Sequence, residues 1–186
     1  MDINEIEGLD KLKYLEDLDF GSNKISVIEN LDSLFEKLTR LSLAKNKIRK
    51  ISNLNSLTNL TFLTFQANRI TKIEGLEKLV NLRELYLSQN FIEKIENLEN
   101  LRQLEILDLA HNRIEKLENL ENNSLLTDLW INNNNIKNFS DLDHLKFLPL
   151  ITTIYLSKNP VADFPSYKAT LRMHCKNIEQ IDGSYL

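Results

Sequence analysis

The sequence predicts an α/β solenoid, a curved stack of similar coils, and two observations support this prediction. An asparagine recurs in steps of 23, 22, 22, 22, 22 and 25 residues, at Asn23, Asn46, Asn68, Asn90, Asn112, Asn134 and Asn159. Around the first six, 41 of 42 frame positions are apolar, whereas the 42% hydrophobic content of the chain predicts roughly 18. Such a period indicates stacked supersecondary units, so any function must lie in the residues that vary between coils.

Each coil follows one frame, L-x-x-L-x-L-x-x-N-x-I-x-x-I-x-x-L-x-x-L, seen over residues 82–101. Its first half is the leucine-rich-repeat signature and alternates with period two, which predicts a short strand with inward leucines. Stacked in parallel, about 4.8 Å apart, these strands predict a horseshoe with a concave β-sheet. The return half repeats every third residue, which predicts a 3₁₀ or irregular convex side.

Two kinds of asparagine stand out from the frame. The periodic asparagines follow the strands, where an amide that both donates and accepts satisfies turning backbone, so we assign them a structural role. Asn123 is the single polar residue at a frame position, beside Asn122 and Ser124. It predicts a bulge between the fifth and sixth repeats.

The repeat pattern divides the chain into a partial N-terminal repeat (1–13), seven leucine-rich repeats (14–160) and a C-terminal cap (161–186). The cap is predicted to contain a short amphipathic helix, because the end of an apolar stack needs a cover. The N-terminal half repeat either closes the stack itself or follows upstream repeats of a longer protein, and we favour the second.

Composition and charge exclude several classes of function and partner. A net charge of -4 and a pI near 5.5 disfavour nucleic acid as a partner, and no apolar stretch approaches the roughly 20 residues that span a bilayer. The chain shows no secretory signal, and the one cysteine, Cys175, excludes an intrachain disulfide. These features predict a monomer in the nucleus and cytoplasm, with no membrane contact.

Catalytic and cofactor motifs are missing from the sequence. There is no phosphate-binding glycine loop, no nucleophile elbow and no metal-ligand spacing, and the three histidines occupy unrelated repeat positions. We therefore predict a protein that is not an enzyme and has no cofactor or metal.

The variable surface is formed by strand residues whose neighbours point inward. From the third repeat onward it concentrates aromatic and acidic side chains, which predicts a protein-binding site. The predicted site consists of Phe62, Glu84, Tyr86, Asp108, Asp128, Trp130 and Tyr155. The carboxylates imply a partner with Arg or Lys at matching positions. For a single aromatic residue, a preference for strands is an equally good explanation.

The final third of the chain carries a resemblance to a known family. Residues 126–134, 139–146 and 153–160 resemble the last repeats of the leucine-rich-repeat regulatory subunit of type 1 serine/threonine protein phosphatase. The resemblance implies a concave face that binds the phosphatase catalytic subunit, with Asp108, Asp128, Trp130 and Tyr155 at matching positions. Phe62, Glu84 and Tyr86 are added from the surface argument alone. The regulatory subunits of that family are longer than this chain.

Together these observations predict a non-catalytic scaffold that binds and regulates the type 1 phosphatase catalytic subunit. Whether binding inhibits, redirects or matures the enzyme stays open. The alternative is a structural adaptor of another assembly, because an axonemal dynein light chain and a spliceosomal component belong to the same repeat class.

Overall fold

The computed structural model describes residues 2–185 as a stack of coils with one continuous sheet. The strands are β1 (Asp17–Asp19), β2 (Arg40–Ser42), β3 (Phe62–Thr64), β4 (Glu84–Tyr86), β5 (Ile106–Asp108), β6 (Asp128–Trp130), β7 (Thr153–Tyr155), β8 (Gln180–Ile181) and β9 (Ser184–Tyr185). Their order in the sheet is their order in the chain; β1 to β8 are parallel and β9 is antiparallel. The predicted horseshoe with a parallel sheet is confirmed.

Helical structure is sparse on the return side. The described residues contain three 3₁₀ segments, Asp32–Leu34, Phe139–Phe147 and Pro160–Asp163, and one α-helix, α1 (Tyr167–His174). The other return segments are turns and irregular chain. This follows from the period of three, because side chains at i and i+3 eclipse in a 3₁₀ turn and leave an α-helix no matching apolar stripe.

The strands stack in a register that keeps equivalent residues in line. Leu63 pairs with Leu85, Leu85 with Leu107 and Leu107 with Leu129, and all four side chains are fully buried. Because successive strand residues point to opposite sides, the residues that flank each leucine lie together on the concave surface. The register therefore fixes which side chains are neighbours there.

The periodic asparagines bind the backbone of neighbouring coils. Asn68 Nδ2 donates to the carbonyl oxygens of Leu43 (2.9 Å) and Phe65 (3.0 Å), and its Oδ1 accepts from the Ile48 N–H (3.0 Å). Each amide therefore satisfies groups that the turn would otherwise leave unpaired in the interior, in agreement with the structural role assigned above.

A second asparagine ladder, which the sequence analysis did not identify, runs along the return side. Its members have φ between 56° and 59° and donate from Nδ2 to an isoleucine carbonyl one coil earlier, and they are Asn30, Asn53, Asn97 and Asn119. Asparagine tolerates this left-handed conformation better than most residues. Gly75 occupies the equivalent place with φ +70°, and an added Cβ would lie 2.6 Å from the Ile51 carbonyl oxygen.

Gly75→Ala is therefore expected to lower the free energy of unfolding by about 1–3 kcal/mol, because it adds both left-handed strain and a backbone clash. Urea denaturation measures this change. Gly8→Ala is the matched control, since Gly8 also has positive φ but a Cβ there meets nothing within 4 Å. Equal losses in the two variants would show that the contact with Ile51 is unimportant.

Asn123 does not create the predicted bulge. Its N–H donates to Leu120 O and its carbonyl accepts from Leu126 N–H, the pattern that Leu101 makes one coil earlier. The side chain is fully buried, and Nδ2 donates to the carbonyls of Leu98 and Leu101, both at 3.0 Å. The prediction was wrong because a buried amide whose Nδ2 pairs with neighbouring backbone fits in place of a leucine, even though its Oδ1 has no partner within residues 2–185.

Different contacts cover the two ends of the stack within the described residues. At the C-terminal end the Asp182 carboxylate accepts from the N–H groups of Leu156 (2.8 Å) and Ser157 (2.7 Å) and from the Tyr167 hydroxyl (3.0 Å). Cys175 directly follows α1 and is buried, and this burial raises the pKa of its thiol to about 12. At the N-terminal end Ile6 is fully buried and the Ile3 N–H donates to Asn23 Oδ1.

Candidate protein-binding surface

The concave surface carries two rows of side chains set by the strand register. The first residue of each strand forms one row, and the third residue forms the other. The structure places Phe62, Glu84 and Asp128 in the first row. The second row holds the other four predicted site residues, Tyr86, Asp108, Trp130 and Tyr155. All seven therefore lie on one face, which spans β3 to β7.

Four aromatic rings form a continuous line across this face. Ring centroids are 5.4 Å apart between Phe62 and Tyr86, 6.1 Å between Tyr86 and Trp130, and 6.3 Å between Trp130 and Tyr155. The rings are tilted or edge-on to one another, the geometry that aromatic quadrupoles prefer. They are half-buried, less exposed than the sequence suggested, because each ring covers the side of the next.

Asp108 lies on the strand between those of Tyr86 and Trp130, so their contact passes over it. Only 7% of Asp108 is exposed, and its Oδ1 accepts from the Ala110 N–H at 3.0 Å. Burial raises the pKa of the Asp108 carboxyl, since the charged form loses water. Burying a carboxylate under aromatic rings lowers the stability of the fold, so folding alone does not account for an aspartate at this position.

A depression of about 370 Å³ lies beside this carboxylate. Its lining includes His111 and Gln89, which the sequence analysis missed, and four residues that lie two positions beyond the second row on successive coils, Gln66, Ser88, Ala110 and Asn132. The Ser88 hydroxyl lies beside the Asp108 carboxylate and lowers the pKa of that carboxyl, against the larger effect of burial. Trp130 Nε1 is buried and has no hydrogen-bond partner within residues 2–185, which is unusual for a buried donor.

The remaining charged groups border the aromatic line. Glu84 Oε2 accepts from the Tyr86 hydroxyl at 2.9 Å, and Asp128 Oδ2 accepts from the Thr127 hydroxyl at 2.8 Å. The Arg40 guanidinium stacks over the Phe62 ring at 3.9 Å, a contact that sequence periodicity alone does not reveal. Hydrogen bonding therefore holds both carboxylates in place on the face.

A larger groove, about 950 Å³, lies on the opposite edge of the coils. Its lining contains no aromatic side chain, and the amides of Asn59 and Asn81 there are occupied by backbone carbonyls. Within the described residues, no group of three or more His, Cys, Asp or Glu is placed to hold a metal, and no helix is both long and apolar enough for a membrane.

Comparison with known proteins identifies the family. The leucine-rich repeat family matches the chain over residues 10–108 and again over residues 84–183. The chain belongs to the leucine-rich repeat family. Leucine-rich repeat solenoids generally bind other proteins on their extended concave surface. A comparison with curated proteins finds no match.

Solved leucine-rich repeat structures share the fold. A leucine-rich repeat protein of Leptospira interrogans has a TM-score of 0.82 at 24% identity, over 92% of this chain and 44% of that one. An internalin of Listeria monocytogenes has a TM-score of 0.69 at 25% identity, over 100% of this chain and 59% of that one. This chain thus spans only about half of either protein.

A third similar structure is a complex. A chain of the Drosophila melanogaster SNF/U2A′ complex has a TM-score of 0.59 at 30% identity, over 63% of this chain and 70% of that one. This similarity covers less than two thirds of the chain and gives an example of the fold within a protein assembly.

Asp108→Asn tests whether burial of this carboxylate lowers the stability of the fold. Because folding raises the pKa of Asp108, ionisation at neutral pH costs stability, and this cost disappears as the pH falls below the raised pKa. The amide still accepts from the Ala110 N–H. We expect Asp108→Asn to melt at a higher temperature than the wild type near pH 7, with the difference vanishing near pH 3. A lower melting temperature near pH 7 would contradict this account.

Proposed function

We propose that this chain is a non-catalytic scaffold that binds and regulates the catalytic subunit of type 1 serine/threonine protein phosphatase through its concave face. The observation that carries the proposal is the line of four aromatic rings with Asp108 covered at its centre. Its acidic and aromatic positions match the resemblance to the phosphatase regulatory subunit at Asp108, Asp128, Trp130 and Tyr155.

The arrangement supports binding through three physical effects. The rings present large, rigid contact area, and aromatic anchors of this kind carry much of the energy of protein interfaces. The carboxylates of Glu84, Asp108 and Asp128 complement Arg or Lys on the partner and orient its approach. The sheet is preformed, so little conformational entropy opposes docking.

The buried donor of Trp130 contributes to the specificity of the face. A carbonyl oxygen of the partner would satisfy Trp130 Nε1 once docking moves the side chains that bury it. A partner that covers the indole with apolar atoms leaves this donor unsatisfied.

The test is a calorimetric titration of this chain with the purified type 1 phosphatase catalytic subunit. Trp130 is the single tryptophan of the chain, so a parallel fluorescence titration follows the environment of the proposed face through its emission. We expect saturable binding with a change in Trp130 emission. Absence of binding, or binding with unchanged emission, would contradict the proposal.

The second candidate is a structural adaptor of another protein assembly. The 30% identity to a chain of the SNF/U2A′ complex favours it, because that chain uses the same fold within a complex. The two candidates differ in partner and share the concave face. Mass spectrometry of proteins retained by the wild type and released by Trp130→Ala separates them.

A further inference from the structure

A second charged surface lies on the edge of the stack, where the chain leaves β2 and β3 and turns toward the convex side. We define this basic edge as the exposed cations of two neighbouring coils, Lys45, Lys47, Arg49, Lys50, Arg69 and Lys72. The segments that contain them, 43–51 and 65–73, hold no Asp or Glu, although the whole chain has 27 acidic and 23 basic residues. The basic edge therefore opposes the overall charge of the protein.

The fold does not explain this concentration of charge. None of the six cations forms an ion pair with a carboxylate of residues 2–185, whereas Lys24 beside them pairs with Asp2 at 2.7 Å. Lys47 and Arg69 occupy equivalent positions on stacked coils, about 4.8 Å apart. Like charges held side by side in this way destabilise a stack.

The later coils show that the repeat itself does not require the basic edge. Glu93 and Glu115 occupy the position that Arg49 has in the second coil, so the same segments of the fourth and fifth coils carry mixed charge, as expected of a solvated surface. The equivalent segments of the first and sixth coils, 20–28 and 131–139, hold one lysine each and no acidic residue. The second coil stands out with four cations, and the third coil adds two beside them.

The pattern of exposure indicates what would lie there. Lys45, Lys47 and Arg49 are exposed, while Asn46 and Ile48 between them are buried. Lys45 has φ 54°, so the chain bends there and the three side chains project from a curved edge of the coil. An acidic peptide segment without secondary structure of its own can follow this bend, so its carboxylates would meet these cations.

We propose that the basic edge binds an acidic segment of a protein partner. A protein segment fits better than nucleic acid, because the patch covers only two coils and the adjoining β1 exposes Asp17 and Asp19, which repel a longer polyanion. The edge begins next to the depression on the concave face, since the Lys45 N–H donates at 2.7 Å to the carbonyl of Gln66, which lines that depression. The proposal does not depend on the identity of the concave-face partner.

Fluorescence anisotropy with a labelled oligoglutamate peptide tests this proposal. We expect saturable binding at low salt that is lost as screening increases, because exposed ion pairs weaken with ionic strength. Lys47→Gln/Arg69→Gln is expected to weaken binding about tenfold. The matched control is Lys94→Gln/Lys116→Gln, which removes two charges from the same return path in later coils and should leave the affinity unchanged.

Several results would overturn the proposal. The first is that the wild type does not bind the peptide, and the second is that the control variant loses as much affinity as Lys47→Gln/Arg69→Gln. The others are that the wild type binds a single-stranded oligonucleotide with the same number of charges, or anionic phosphatidylserine vesicles, more tightly than the peptide. Trp130→Ala is expected to keep the peptide affinity while losing the phosphatase. If the chain binds the peptide but not the phosphatase, the proposed function is contradicted and the proposal for the basic edge is unaffected.

Discussion

Trp130→Ala is expected to weaken binding of the concave-face partner by about 2–4 kcal/mol, a loss of roughly thirtyfold to a thousandfold in affinity. Trp130 contacts both Tyr86 and Tyr155, so removing its ring interrupts the aromatic line at its centre. It also removes the buried Nε1 donor that has no partner within residues 2–185. Calorimetric titration with the phosphatase catalytic subunit measures the loss.

The same variant is expected to remain folded, because Trp130 lies on the sheet surface and not among the inward leucines. A thermal melt close to that of the wild type checks this point. Phe147→Ala is the matched control, since Phe147 is a large aromatic residue, 44% exposed, on the convex side. If Phe147→Ala lowered affinity as much as Trp130→Ala, or Trp130→Ala had no effect, the concave-face model would be wrong.

Leu107→Ala is expected to lower the free energy of unfolding by about 2–5 kcal/mol. Leu107 is fully buried, with Leu85 and Leu129 at the equivalent positions of the coils on either side. Truncation leaves a cavity between two coils, and in a solenoid each coil is stabilised mainly by its immediate neighbours. Urea denaturation followed by circular dichroism measures the change.

The neighbouring residue provides the control for this experiment. Ile106→Ala removes a similar volume from the adjacent position, but Ile106 is only partly buried on the concave surface. We expect Ile106→Ala to cost clearly less than Leu107→Ala. The reverse order would mean that the side chains that point into the stack have been assigned to the wrong face.

Much of the candidate site is predictable from the repeat period. The period aligns Tyr86 with Asp108 and Asp108 with Trp130, and the period-two alternation of each strand sends all three to the concave side. These are local and translational properties, because each coil repeats the preceding one with the same frame. Assignment of the seven site residues to a binding function stays a prediction.

Other features of the site depend on side-chain packing between coils, which the repeat period does not specify. The Tyr86 and Trp130 rings meet across the strand between them, and this contact buries Asp108. The stacking of Arg40 over Phe62 and the burial of Trp130 Nε1 without a partner likewise depend on side-chain conformations. No spacing rule predicts them, since the same rows of residues would accommodate several sets of rotamers.

Asn123 and Gly75 show the same division within the scaffold. The sequence marked Asn123 as an exception to the frame, but only the assembled stack provides the Leu98 and Leu101 carbonyls that accept from its amide. Gly75 belongs to a visible period with Asn53 and Asn97, yet only the assembled stack shows that an added Cβ there would lie 2.6 Å from the Ile51 carbonyl oxygen.

The sequence by itself determined the repeat, the strand positions and the composition of each row, because apolar periodicity and stacking leave one register that buries every frame residue. The tertiary structure alone decided which polar groups are buried, which rings touch and which hydrogen-bonding atoms are left without partners. The physical reason is that burial and pairing depend on distances between coils. Residues 22 positions apart in the chain are neighbours in space, and their side chains must find their conformations together.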